Sequence, residues 1–198
     1  MVSTLTKIVF ATKNKHKVSE VRELLKGTDI EIVEIEGEFN PEESGETFEE
    51  NAYIKAYEAA RMMNMPALAD DSGLVVDALG GRPGVYSSRY EETDEKRINK
   101  LLHELENVAA PNRTARFVCA MVVVSPQGEK LFSTTGVCEG EIAFSPSGEM
   151  GFGYDPVFYF REKDVTMAEL PMEEKNEISH RGKALRKTVE WLKSAKAK

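Results

Sequence analysis

The sequence predicts an α/β protein in which helices cover both faces of a mixed β-sheet. Strand-like and helix-like segments alternate in the first 76 residues, as they do in units that build parallel strands. Two β-prone runs, at 117–124 and 131–137, are separated by Pro126-Gln127-Gly128, which favours an antiparallel hairpin. Helical periodicity returns at 184–192.

Apolar spacing indicates the elements of the N-terminal half. Consecutive apolar residues read as a buried strand, whereas apolar residues three or four positions apart form one face of a helix. Thr47 followed by Glu50 has the spacing of a capping box. The predicted order is a strand at 7–12, a helix with Val18, Val21, Leu24 and Leu25 on one face, a strand at 30–35, an acidic loop at 36–46, a helix with Phe48, Ala52, Ala56, Ala59 and Met63 on one face, a short strand at 67–69 and another at 74–76.

The same rules apply to the C-terminal half. Glycines and Pro83 mark a turn at 80–84, and Thr93 or Asp94 caps the next helix. The further predicted elements are a helix with Ile98, Leu101, Leu102 and Leu105 inward, the hairpin, a glycine-containing loop at 145–155, a strand at 157–160 and a last helix with Ala184, Leu185, Thr188, Val189 and Leu192 inward.

Composition limits the class of partner. The chain has 198 residues, enough for one large domain or for two lobes that share one sheet. Its formal net charge of −8 argues against a general nucleic-acid-binding protein but allows a small polyanion in a local basic pocket. No apolar run approaches the roughly 20 residues that span a bilayer, and no signal-peptide pattern is visible. We therefore expect no membrane association and a cytoplasmic location.

The cysteines and histidines lack the close spacing of a zinc site. Cys119 and Cys138 lie in neighbouring strand-like runs, where a disulfide and two reduced, buried thiols are both open. The size of the chain favours thiols. A hard-cation site built from carboxylates also stays open.

Two adjacent acids, Asp70 and Asp71, follow a short apolar run. Neighbouring carboxylates repel each other and lose hydration in a cleft, so a divalent cation or a proton-transfer role best explains such a pair. A solvated turn or a helix cap is the alternative. Because lysines and arginine elsewhere could contact phosphates, the combination suggests phosphoryl chemistry.

A candidate phosphate site lies at 12–17, where a strand passes into a helix. Free backbone N–H groups and the helix dipole favour anions at such a position, although the glycine-rich pattern of a P-loop is missing. Solvated lysines in an ordinary turn are the alternative. The candidate residues are Thr12, Lys13, Asn14, Lys15, His16 and Lys17, with Asn14 as the helix cap.

Glu42 and Glu43 in the acidic loop are not explained by helix capping. Magnesium is usually held by one or two protein carboxylates together with phosphates and water. One of these glutamates with Asp71 would suit such a site, and a solvated acidic loop is the alternative.

Two further segments suit contact with a nucleotide. In 148–156, glycines allow close approach to a flat ligand, Phe152 offers a stacking face and Asp155 could accept hydrogen bonds, whereas a turn with core aromatics is the alternative. In 175–181, Arg181 is a rigid donor fork for a carbonyl oxygen or a phosphate. Surface solvation of Lys175 and helix capping by Ser179 are the alternatives there.

These segments, in this order, resemble one family, the inosine triphosphate pyrophosphatases, which hydrolyse non-standard purine nucleoside triphosphates. The ordered set spans most of the chain and is specific, although Lys13 and Met150 stand where a small residue and glycine are usual. The matching pieces are Thr12-x-Asn14-x-x-Lys17, Glu46-Thr47-Phe48-x-Glu50-Asn51-Ala52, Ala69-Asp70-Asp71-Ser72-Gly73-Leu74, Gly80-Gly81-x-Pro83-Gly84-Val85-x-Ser87-x-Arg89-Tyr90, Gly151-Phe152-Gly153-Tyr154-Asp155-Pro156 and Ile178-Ser179-His180-Arg181.

The resemblance implies a homodimer of subunits with two lobes around a long mixed sheet and a central active-site cleft. It also implies dependence on Mg²⁺ and cleavage to a nucleoside monophosphate and pyrophosphate. By position, Asp71 matches the catalytic base and a metal ligand, and Glu42 or Glu43 matches the other metal carboxylate. The implied substrate-binding residues are Thr12, Lys13, Asn14, Lys15, His16, Lys17, Ser72, Phe152, Gly153, Tyr154, Asp155, Lys175, His180 and Arg181.

Hydrogen-bond polarity predicts which bases such a site accepts. Inosine and xanthosine carry an acceptor oxygen at C6, which Arg181 and neighbouring donors could satisfy, whereas adenine carries a donor amine there. We therefore expect ITP, dITP and XTP to be preferred over ATP. Two alternatives stay open, namely a pyrophosphatase for other modified nucleotides and a nucleotide sensor that binds without turnover.

Overall fold

The computed structural model describes residues 6–195, so Met1 to Leu5 and the last three residues lie outside the described part. Within it, seven strands and five α-helices follow one another. The strands are β1 Lys7–Phe10, β2 Glu31–Glu34, β3 Ala67–Val76, β4 Thr114–Val124, β5 Lys130–Ile142, β6 Phe158–Phe160 and β7 Val165–Thr166, and the helices are α1 Lys15–Leu25, α2 Phe48–Met63, α3 Asp94–Glu104, α4 Met172–Ile178 and α5 His180–Ala195.

The strands form one mixed sheet in the order β2-β1-β3-β4-β5-β6-β7. Strand β1 is parallel to both β2 and β3, whereas β6 is antiparallel to β5 and to β7. Only residues 125–129 connect the adjacent strands β4 and β5, and a connection this short joins only antiparallel neighbours. The predicted hairpin and the α/β class with a mixed sheet are confirmed.

Strand β3 is one continuous element of ten residues. The prediction of two short strands, at 67–69 and 74–76, was wrong because two acids and Gly73 were read as a break. Buried ion pairs on both sides of the strand, described below, allow the acids to stay within it.

The described chain divides into two compact units. Unit 1 contains residues 6–71, Cys119–Gly136 and 181–195, and unit 2 contains Ser72–Val118 and Val137–His180. Strands β3, β4 and β5 each contribute residues to both units. That the chain is a single domain with two lobes around a central active-site cleft stays a prediction.

Unit 1 has apolar clusters on both faces of its strands. Because side chains alternate along a strand, Ile8, Phe10 and Leu68 pack with α1 and α5, whereas Val9 and Ala69 pack with α2. The inward faces predicted for these three helices are confirmed apart from Phe48, which is partly buried and lies outside these clusters. The capping box of Thr47 and Glu50 at the start of α2 is confirmed as well.

The core of unit 2 lies between α3 and its strands. Ile98 and Leu101 pack there with Leu74 and Phe158, and Thr93 caps α3. Cys119 in unit 1 and Cys138 in unit 2 are both buried and form no disulfide, which confirms the prediction of thiols. No helix within residues 6–195 has the length and hydropathy needed to cross a membrane.

Candidate functional site

The two acids of β3 lie on opposite faces of the strand and have different partners. Asp70 lies on the same face of β3 as Leu68 and contacts α1 and α5. Asp71 lies on the same face as Ala69 and contacts α2. Both are buried, at 2% and 7% exposure, so the alternative of a solvated turn is wrong. The adjacent acids therefore do not share one cation.

Asp70 belongs to a buried network of four charged side chains. Its Oδ2 lies 2.9 Å from Lys17 Nζ and 3.3 Å from Arg181 Nε, and Arg181 Nη1 lies 2.6 Å from Glu20 Oε2. Burial raises the pKa of Asp70, but the cations of Lys17 and Arg181 outweigh it and hold that pKa well below its ordinary value. The network fixes the first turns of α1 and α5 against β3.

Asp71 and Glu43 converge on a single ammonium group. Lys55 Nζ lies 2.7 Å from Asp71 Oδ1 and 2.7 Å from Glu43 Oε1. Burial raises the pKa of Asp71 above its ordinary value, and Lys55 only partly opposes this. Burial alone would lower the pKa of Lys55, but Asp71 and Asp70 raise it, so the ammonium stays charged.

The pair of Glu43 and Asp71 suits a cation site completed from outside the protein. No group of three or more His, Cys, Asp or Glu side chains within the described residues could hold a metal by itself. Two carboxylates that already face one cationic centre match the usual magnesium pattern, in which phosphates and water supply the other ligands. Glu42, in contrast, is exposed, and Glu43 alone of the two contacts Lys55.

Lys55 is the residue of this cluster that sequence reasoning missed. A signal was present, because Ala52, Lys55, Ala56 and Ala59 have the spacing of one apolar helix face. A lysine inside such a stripe needs a buried partner. That partner, Asp71, is 16 residues away in the chain.

The segment 12–17 forms the predicted turn into α1. Thr12 Oγ1 accepts a hydrogen bond from the Asn14 N–H at 3.2 Å, and Asn14 Oδ1 accepts from the Lys17 N–H at 3.4 Å, so Asn14 caps the helix. Lys13 Nζ donates to the Gly37 carbonyl oxygen. Lys15 is exposed in the first turn, and the side chain of His16 lies outside the described part.

A second buried ion pair organises the loop of unit 2. Asp155 Oδ2 lies 2.6 Å from Lys175 Nζ and accepts a hydrogen bond from the Phe152 N–H at 3.0 Å. Lys175 Nζ is 5.1 Å from the centroid of the Phe152 ring. A Cβ on Gly151 would lie 2.2 Å from Asp155 Oδ2, so only glycine fits there without displacing the pair.

Three other predicted residues have distinct surroundings in unit 2. Tyr154 packs in the core and donates its hydroxyl to the Ser87 carbonyl oxygen at 3.0 Å, so the alternative of a core aromatic holds for this side chain. The buried His180 ring stacks on Phe117 at a centroid distance of 4.8 Å. Ser72 is partly buried in β3, directly after Asp71.

Lys175 lies in α4, a helix that the sequence analysis missed. The helix has only seven residues and carries charged side chains along most of its length, so no apolar stripe marks it. Arg181 and Lys17 meet at Asp70 in unit 1, whereas Lys175 and Phe152 meet at Asp155 in unit 2.

Comparisons with known proteins agree with this architecture. The model of the Ham1 family matches residues 8–191. A dITP/XTP pyrophosphatase of Geobacter sulfurreducens is 50% identical over 187 residues, which cover 91% of this chain and 94% of the relative. A dITP/XTP pyrophosphatase of Bacillus subtilis is 48% identical over 192 residues, covering 94% and 96%. The structure of a HAM1 protein from Coxiella burnetii, 43% identical, has a TM-score of 0.86 and covers 95% of this chain and 98% of that one.

The matches confirm the resemblance that the ordered motifs indicated and the fold class predicted from the sequence. Family model, relatives and solved structure each span nearly the whole chain. The chain belongs to the Ham1 family.

Proposed function

We propose that this protein hydrolyses the non-standard purine nucleoside triphosphates ITP, dITP and XTP to the nucleoside monophosphate and pyrophosphate, and so removes them from the nucleotide pool. The observation that carries the proposal is the convergence of Asp71 Oδ1 and Glu43 Oε1 on one cationic centre. The names of the full-length relatives, dITP/XTP pyrophosphatase, support the substrate class.

We propose Mg²⁺ as the cofactor, with Asp71 and Glu43 as its protein ligands. The choice of Glu43 over Glu42 rests on the contact of Glu43 with Lys55. When bound, the ion would neutralise the negative charge of the triphosphate and the charge that develops on the leaving oxygens. The two acids cannot complete its coordination alone, which suits a site that forms fully only with a nucleotide.

Asp71 is proposed as the base that orients or deprotonates the attacking water. Burial raises the pKa of this carboxylate in the metal-free protein, which moves it towards the operating pH that suits a general base. The reaction is attack of that water on the α-phosphorus, with pyrophosphate as the leaving group. Lys55 holds the Asp71 carboxylate in place at 2.7 Å.

The start of α1 is proposed to bind the phosphates. Lys17 is held there by Asp70 and, together with the partial positive charge at the start of the helix, favours an anion. Preorganised charge of this kind stabilises a transition state without reorganisation. The candidate set at this position remains Thr12, Lys13, Asn14, Lys15, His16 and Lys17.

The loop of unit 2 is proposed to bind the base. Phe152 is only partly buried and offers a stacking face, while Lys175 and Asp155 hold its backbone and ring in position. Donors from His180 and Arg181 are proposed to satisfy the C6 oxygen. Arg181 donates from Nε to Asp70 Oδ2 and from Nη1 to Glu20 Oε2, and these contacts fix the plane of its guanidinium group.

We propose that the protein is a cytoplasmic homodimer. Its small-molecule partner is a purine nucleoside triphosphate, and it binds neither nucleic acid nor membranes. The net charge of −8 supports the exclusion of nucleic acid. The dimer rests on the family resemblance alone.

The test is product analysis with purified protein, Mg²⁺ and ITP. Release of pyrophosphate with IMP supports the proposal, whereas release of orthophosphate or no turnover contradicts it. A parallel panel of modified pyrimidine triphosphates separates this activity from a pyrophosphatase for other nucleotides. Tight binding of ITP without turnover would identify a sensor.

A further inference from the structure

A side chain from α3 holds the aromatic loop of unit 2 at Gly153. The Gly153 N–H donates to Asp94 Oδ2 at 2.8 Å, across 59 residues of chain. Gly153 has a φ of +63°, which glycine adopts without the cost that a side chain would add. The contact therefore joins the first turn of α3 to a left-handed backbone conformation in this loop.

Asp94 is not needed to cap α3. Thr93 is the N-cap, and its Oγ1 accepts a hydrogen bond from the Lys96 N–H at 3.2 Å. Asp94 Oδ1 accepts from Arg97 Nη1 at 2.5 Å, and Arg97 Nε donates to the Glu91 carbonyl oxygen at 2.9 Å. The carboxylate is thus oriented by its own helix, and its second oxygen faces the loop.

Three successive residues of the loop are held by three different parts of unit 2. The Phe152 N–H is bound by Asp155, the Gly153 N–H by Asp94, and the Tyr154 hydroxyl by the Ser87 carbonyl oxygen. Of the three side chains that act as acceptors or donors here, only that of Asp94 comes from outside the loop. Because the peptide groups on either side of the Phe152 Cα are held, the direction of its Cα–Cβ bond is fixed, and Lys175 Nζ, 5.1 Å from the ring centroid, contacts the ring itself.

We propose that Asp94 is a positioning residue that sets the orientation of Phe152 for stacking on a purine base. The inference rests on the proposed function, in which Phe152 contacts the base. Asp94 contacts neither the Asp155–Lys175 ion pair nor the acids proposed to bind Mg²⁺, Asp71 and Glu43. Its loss should therefore weaken recognition of the base and leave the chemical step intact.

Two variants and a matched control test this role. Asp94→Ala removes both acceptor oxygens, whereas Asp94→Asn keeps one, which can accept from Gly153 or from Arg97 but not from both. Glu95→Ala removes one exposed negative charge from the same turn and serves as the control. In Asp94→Ala we expect KM for ITP to rise about 3- to 10-fold, the size of one typical net hydrogen bond, with kcat nearly unchanged.

Amide hydrogen exchange of peptides covering 148–154 gives a readout that does not depend on activity. Exchange should be faster in Asp94→Ala than in the wild-type protein, Asp94→Asn should fall between the two, and Glu95→Ala should resemble the wild type in both exchange and KM. An unchanged exchange rate in Asp94→Ala, or an equal rise of KM in Glu95→Ala, overturns the inference. Failure of the wild-type protein to hydrolyse ITP would instead count against the proposed function, and exchange would still decide whether Asp94 anchors the loop.

Discussion

Asp71 is the residue on which the proposed chemistry depends. It lies inside β3, where burial raises its pKa and Lys55 supplies the nearest positive charge. A general base must lie within hydrogen-bond reach of the proton that it accepts, directly or through one water. Lys55 and Glu43 give this residue its position, and neither was visible from the motif that contains it.

Replacement of Asp71 by Asn should reduce turnover of ITP by about 10²- to 10⁴-fold, the usual contribution of a general base. The amide keeps the shape of the side chain, so the circular dichroism spectrum should match that of the wild-type protein. Asp77→Asn is the control, since Asp77 is an exposed acid paired with Arg116 in unit 2. Full activity in Asp71→Asn would remove Asp71 from the mechanism.

Replacement of Lys55 by Met should destabilise the metal-free protein, because Asp71 and Glu43 would lose their common cation. Removal of one partner from a buried ion pair typically costs about 3–5 kcal/mol. Since Mg²⁺ could then neutralise the two acids, the rise of Tm on adding Mg²⁺ should be larger in the variant than in the wild-type protein. Equal Tm values for both proteins, with and without Mg²⁺, would show that Asp71 and Glu43 do not form a cation site.

At the scale of elements, three helices carry the charged side chains of unit 1 to β3. Their apolar stripes could be predicted from spacing, and so could the capping box of α2, because both signals are local. The continuity of β3 could not be predicted, since the cation that neutralises Asp70 from α5 lies 111 residues away. The short elements α4 and β7 carry too few residues for a periodic signal.

Contacts between residues far apart in the chain also limited the prediction of the candidate site. Motifs identified Asp71, Lys17 and Arg181 by their residue types, but the pairing of Lys17 and Arg181 through Asp70 depends on three elements meeting in space. Asp70 and Asp71 are adjacent in the sequence but have different roles, because successive side chains of a strand point to opposite faces.

Replacement of Asp70 by Asn should lower the stability of the protein at neutral pH. The pKa of Asp70 is lower in the folded state than in the unfolded chain, so its contribution is fully present above the unfolded pKa of about 3.9 and is lost as pH falls below it. The difference in Tm between the wild-type protein and Asp70→Asn should therefore be large at pH 7 and shrink below about pH 4.

Thermal unfolding across this pH range checks the prediction, with Glu58→Gln on the exposed side of α2 as the control. A difference in Tm that stays constant from neutral to acidic pH would contradict the assigned network. So would an Asp70→Asn variant that is as stable as the wild-type protein at pH 7.

At the scale of the whole molecule, an acidic chain is proposed to bind a polyanion. The net charge of −8 is compatible with this, because cations are held locally by buried acids, as Lys17 is by Asp70. Base selection then depends on the polarity of a few donors rather than on overall charge. A donor facing the C6 amine of adenine would remain unpaired, which strongly disfavours ATP.

The predicted order of kcat/KM is therefore ITP, dITP and XTP above ATP, by up to roughly 10⁴-fold. Steady-state kinetics on the four nucleotides at one Mg²⁺ concentration checks this. Equal values for ITP and ATP would contradict the assignment of base reading to hydrogen-bond donors, although they would leave the hydrolytic chemistry untouched.

The most direct test of the central claim is hydrolysis of ITP in water labelled with ¹⁸O. Attack on the α-phosphorus by water held at Asp71 predicts that the label enters IMP and that the released pyrophosphate is unlabelled. Label in the pyrophosphate, or in orthophosphate, would contradict the account.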